Sequence, residues 1–63
     1  MNLRKSVRKM CADREIQQKD LAAHLNITNV YLSKLLHENN PRFISKIAMY
    51  FDMNVSDFVK EGE

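Results

Sequence analysis

Cysteine occurs once in the 63 residues, so no internal disulfide can form, and no Cys/His spacing suits a zinc ion. Neither staple of the usual mini-domain is available, and the fold has to rest on packing. Glycine and proline also occur once each, and tryptophan is absent. The β-branched residues are scattered singly rather than in alternating runs, which disfavours strands and hairpins and leaves an all-α chain. No apolar run approaches the roughly 18 residues that span a bilayer, and charge breaks up the apolar residues of the first nine positions, so neither a membrane span nor a signal-peptide core is expected. A composition of 44% apolar and 29% charged residues is too hydrophobic for disorder, and a soluble cytoplasmic chain is the expectation. At this length residues 1–63 make one domain that buries only about 60% of its unfolded surface, and a deep catalytic cleft would consume its core. A binding module is therefore expected rather than an enzyme.

The formal charge of +2 is unevenly spread. Nine Lys and Arg precede residue 52 against Asp13, Glu15, Asp20 and Glu38, which leaves +5, whereas residues 52–63 carry Lys60 against four acids, which leaves −3. A basic body suits a polyanionic partner, and it is equally the ordinary outcome of solvated helix faces.

Leu3, Val7, Met10 and Cys11 fall on one helical stripe with Arg4, Lys5, Arg8 and Lys9 on the other side, which predicts a helix over about 2–13. A second, short helix is predicted over 17–24, with Gln17 as a mediocre N-cap and Asp20 favouring the positive helix start. Asn26 then occupies the left-handed position of a sharp turn, where Asn is the commonest substitute for Gly. Thr28 caps a third helix, over 28–37, that carries Leu32, Leu35 and Leu36 on one stripe. Asn40 as cap and Pro41 in the first helical position open a fourth helix, with Ile44, Ile47, Ala48 and Phe51 directed inward. Asn54 to Asp57 has capping-box character and starts a last short helix bearing Phe58 and Val59.

Two short helices joined at Asn26 have the spacing of a helix-turn-helix unit. Counted from Gln18, the residues Leu21, Ala22, Leu25, Ile27, Leu32 and Leu35 fill the six positions of that unit's internal core. Ala22 is the most telling, because two steeply crossing helices leave no room there for a larger side chain. The chain resembles the phage Cro and repressor group, the XRE-type helix-turn-helix family. The resemblance rests on Ile16 to Ile27, on Tyr31 to Leu36, and on Pro41-Arg-Phe with Ile47-Ala-Met, and it covers nearly the whole chain. It implies a compact, lambda-repressor-like five-helix domain. Asn26 stands in place of the family's usual Gly, and the stretch between Leu36 and Pro41 is a few residues short. Cys11 and Leu36 occupy the positions of an Arg–Glu pair that the family often buries, so packing replaces an ion pair, a swap that is often neutral or stabilising.

The function implied by the resemblance is a sequence-specific transcriptional regulator, a Cro-like repressor that occupies a promoter. The third helix would dock in the major groove, where every base pair shows a distinct pattern of donors and acceptors. Thr28, Asn29, Val30, Ser33 and Lys34 point away from the leucine stripe and are the candidate base contacts. Asn29 suits adenine, Lys34 guanine and Val30 the thymine methyl group. Candidate phosphate contacts are Gln17, Gln18, Tyr31, Asn39, Asn40 and Arg42. Tyr31 is equally suited to packing against the second helix, and Asn29 and Ser33 are also compatible with plain solvation. His24 and His37 lack a third ligand, so no metal or cofactor is expected, and Cys11 reads as core.

One recognition helix reads too few base pairs to select a site in a genome, so a second copy is expected. The family's symmetric contact is C-terminal, and Met53, Val55 and Phe58 are the candidate interface, although Phe58 serves as well to close the core. The expected partner is double-stranded DNA carrying a pseudo-palindromic operator, bound by a weak homodimer that forms on the DNA, in a bacterial or phage-infected cell. The alternative is an interaction module, antirepressor or antitoxin-like, that uses the same fold to bind a protein.

Overall fold

A computed structural model describes residues 1–63 as five α-helices without a strand: α1 Leu3–Asp13, α2 Gln18–His24, α3 Asn29–His37, α4 Ile44–Tyr50 and α5 Val55–Lys60. None is long and apolar enough to cross a membrane. Three of the helices start on a side chain that accepts one of the orphan first-turn N–H groups. Asn2 Oδ1 accepts from Lys5 N–H at 3.0 Å, Thr28 Oγ1 from Tyr31 N–H at 3.0 Å, and Asn54 Oδ1 from Asp57 N–H at 2.8 Å. At α2 the acid works in the reverse direction, with Asp20 Oδ2 accepting the Gln17 N–H at 3.0 Å.

The first four helices end alike. Glu15, Asn26, Asn39 and Asp52 all adopt φ between 57° and 60°, the left-handed region. In each case the following residue returns its N–H to a carbonyl five positions back: Ile16 to Cys11, Ile27 to Ala22, Asn40 to Leu35 and Met53 to Ala48, at 2.9–3.0 Å. These are Schellman closures, and they are made without glycine. Asn26 meets its expectation, and Glu15 and Asp52 are further left-handed positions. A glutamate gains nothing locally from that conformation, whereas glycine adopts it freely. Glu15→Gly should therefore raise stability by about 0.5–1 kcal/mol, after the greater freedom of glycine in the unfolded chain is subtracted. The thermal midpoint, higher by a few degrees, is the measurement that checks it.

The fourth helix starts later than expected. Pro41 is not its first residue and Asn40 is not its cap: the helix opens at Ile44 after Phe43, with no side-chain cap. Asn40 is already committed, because its N–H closes α3 and its Oδ1 accepts the Arg42 N–H at 2.9 Å. The chain must complete that Asx turn, and a second turn from Pro41 O to Ile44 N–H, before α-helical bonding can begin.

Leu3, Val7, Met10 and Cys11 of α1 meet Leu21, Ala22, Leu32, Leu36, Ile47, Ala48, Phe51 and Phe58 in one buried cluster. The cluster accounts for the stripe on α1 and for Leu32 and Leu36 of α3, Leu35 being buried outside it, and Cys11 and Leu36 both lie in it. Ile44 is only half-buried at its margin. Burial pushes the Cys11 thiol above its ordinary value of 9.0, and the negative charge of Asp20 adds to the shift, so the thiol is an inert packing group. The chain after α5 closes back on α1: Gly62 is buried where a Cβ would overlap the Asn2 carbonyl oxygen and Ser6 Oγ. Lys9 Nζ meets Glu61 Oε2 at 3.3 Å on the same side.

Candidate nucleic-acid interface

Helices α2 and α3 cross with Leu21, Ala22, Leu32 and Leu35 buried and with Leu25 and Ile27 half-buried. Ala22, 2% exposed, sits in the tight contact expected of it. That packing turns the other face of α3 outward. Thr28, Asn29, Val30, Ser33 and Lys34 are all exposed, and Val30, at 80%, is held by nothing in the fold.

Gln18, half-buried at the start of α2, ties this face together. Its Nε2 donates to Asn29 Oδ1 at 3.0 Å and to Ser33 Oγ at 2.8 Å. One amide thus bridges two groups one turn apart on α3 and fixes rotamers that plain solvation would leave mobile. The Asn29 Nδ2 group remains a free donor, and its Oδ1 keeps a second lone pair. Gln17 is exposed, and its side chain makes no capping bond.

At the edge of the face, Arg42 Nη1 donates to the Tyr31 hydroxyl at 3.1 Å. Tyr31 is half-buried, and an arginine orients its hydroxyl. The Arg42 guanidinium and the Lys46 ammonium each lie 5.8 Å from the Phe43 ring centroid, a cation–π arrangement. Asn40 is half-buried in the turn beside Arg42.

Two of the expected site residues are placed elsewhere. Asn39 faces inward along the chain: its Oδ1 accepts the Leu3 N–H at 2.9 Å and its Nδ2 donates to the Met1 carbonyl at 2.7 Å. Each end of the amide is bonded within the fold, so it ties the end of α3 to the start of α1. Phe58 is fully buried and stacks on Phe51 with centroids 6.1 Å apart, which removes it from the candidate interface. Val55 remains available at 37% exposure, and Met53 is half-buried against the core.

Sequence reasoning missed the part of α1 that borders this face. Arg4 and Arg8 line an open groove with Gln18, Ser33, Lys34 and His37. A second groove continues along α1, lined by Asn2, Arg4, Lys5, Arg8 and Lys9. The alternation of basic and apolar residues on α1 exposed that face, but only the packing of α1 beside α3 shows what it adjoins. No three His, Cys, Asp or Glu side chains converge anywhere on a metal-sized site.

A family model described as a Cro/C1-type HTH DNA-binding domain matches residues 6–60. No curated protein and no solved structure matches the chain significantly.

Proposed function

The chain belongs to the Cro/C1-type helix-turn-helix DNA-binding family, and on that premise we propose that it is a repressor acting in the cytoplasm of a bacterial or phage-infected cell, by sequence-specific occupancy of an operator. The observation that carries this reading is the Gln18–Asn29–Ser33 network on the exposed face of α3. Asn29 has a donor and an acceptor left for the bidentate pattern of adenine, Val30 offers methyl groups to thymine, and Lys34 suits the acceptors of guanine. Thr28 and Ser33 complete the base-facing row. Gln17, Gln18, Tyr31, Asn40 and Arg42 flank it as phosphate contacts that set the register without reading sequence. Two protomers meet on the DNA through Val55, with Met53 behind it, on half-sites about 10–10.5 bp apart. A patch this small holds them together mainly where the duplex raises their effective concentration.

The test is one titration series on a site selected from random duplex DNA. Asn29→Ala should cost about 1–3 kcal/mol on the selected site and little on random DNA, whereas Arg42→Ala should weaken both alike. Moving the half-sites apart by about five base pairs, half a helical turn, should abolish cooperativity. Equal losses from Asn29→Ala on both DNAs would demote it to a phosphate ligand. Absence of any salt-sensitive DNA binding would favour a protein-binding module on the same fold.

A further inference from the structure

Six positive or imidazole side chains, Arg4, Lys5, Arg8, Lys9, Lys34 and His37, line two adjoining grooves that contain no acidic residue. Arg4, Lys5, Arg8 and Lys34 pair with no carboxylate, and only Lys9 has an acidic partner, Glu61, at the far edge. Arg14, by contrast, has the Asp13 carboxylate at 3.7 Å.

This arrangement opposes the stability of α1 in two independent ways. The first turn of α1 holds Arg4 and Lys5 and no acid, at the positive end of the helix dipole, where negative groups are favoured. Arg4 with Arg8 and Lys5 with Lys9 are also like-charged pairs at i, i+4, which repel on a helix surface. A face that violates two local rules at once, without an internal partner, is explained by an external one. Its partner must be an extended polyanion, because the basic groups run along two turns of α1 rather than converging on a point. Arg4 and Arg8 share the nearer groove with Ser33 and Lys34, on the exposed face of α3.

We infer that the basic face of α1 is a second, sequence-independent contact surface for the phosphate backbone of duplex DNA, with Arg4 and Arg8 as its principal ligands. The inference rests on the DNA-binding reading above. It widens the footprint beyond the helix-turn-helix and its following loop, and it makes α1 a structural support and a DNA contact together.

Arg4→Gln, Arg8→Gln and the charge-matched Lys60→Gln, whose residue borders neither groove, separate a local contact from net charge. Binding to the selected operator and to random duplex is measured across a salt series. Each arginine variant should bind both DNAs more weakly by the same factor and should flatten the slope of log affinity against log salt by about 0.9, equivalent to losing roughly 3.5-fold less affinity than wild type between about 50 and 200 mM salt. Lys60→Gln should keep the wild-type slope. Arginine variants whose slopes match that of Lys60→Gln would overturn the inference while leaving the parent reading intact, as would losses confined to the operator. A wild-type chain with no salt-sensitive DNA binding would remove the parent reading and this inference with it. Tighter binding of the wild type to polyglutamate than to duplex at equal salt would make the face a protein-docking surface instead.

Discussion

Phe58→Ala should leave the free chain largely unfolded. The ring is fully buried, stacks on Phe51 and belongs to the single core cluster, so its removal opens a cavity between α5 and the rest of the bundle. Truncations of this kind cost about 3–5 kcal/mol. Stability scales to roughly 3–9 kcal/mol for a chain of 63 residues, so one such loss approaches the total. Urea denaturation of the free protein is the measurement, and it also discriminates. Had Phe58 been an interface residue, the free chain would be unaffected and only cooperative binding to DNA would suffer. Val55→Ser serves as the counterpart, because Val55 is 37% exposed and stands outside the core cluster.

The ambiguity of Phe58 shows what one sequence can and cannot specify. The stripe of Leu3, Val7, Met10 and Cys11 was legible because it repeats over two turns, and the leucines of α3 because three of them at i, i+3 and i+4 already define a face. In α5, six residues long, one aromatic residue fits an inner or an outer face equally well. Thr28 and Asn54 were legible as caps because their residue types bond to a backbone N–H three positions on. Asn40 was misread because it serves two reversals, and its side chain is spent on Arg42 before a helix can use it. Glu15 adopts a left-handed conformation that its residue type disfavours, so nothing in its identity announced it, whereas Asp52 is of a type that tolerates that region but serves many other positions equally well.

The candidate site divides in the same way. The outward row of α3 followed directly from the leucine stripe, and the Ala22 crossing followed from size. The link from Gln18 to Asn29 and Ser33 depends on the angle between two helices, which spacing alone leaves undetermined. The approach of Arg4 and Arg8 to Lys34 depends on a third helix, and in the sequence those arginines are indistinguishable from a solvated face.

The sharpest case is Asn39, whose two partners lie 36 and 38 positions away. Asn39→Ala removes two things: a side chain tolerant of φ 58°, and the acceptor of the Leu3 N–H, one of the first-turn donors of α1. Together these should cost about 2–4 kcal/mol. Asn39→Gly keeps the left-handed conformation and loses only the tie, so it should cost less, about 1–2 kcal/mol. Thermal or urea denaturation of both variants orders them. A phosphate ligand would behave in the opposite way, with stability unchanged in both variants and the salt dependence of DNA binding flattened by about 0.9. Because the bond holds the first turn of α1 against the end of α3, its loss should also loosen the groove that Arg4 shares with His37. Both variants should then lose some affinity for random and selected DNA alike, in proportion to their loss of stability, while the preference between the two DNAs, set by Asn29 and its neighbours, stays as it is in the wild type.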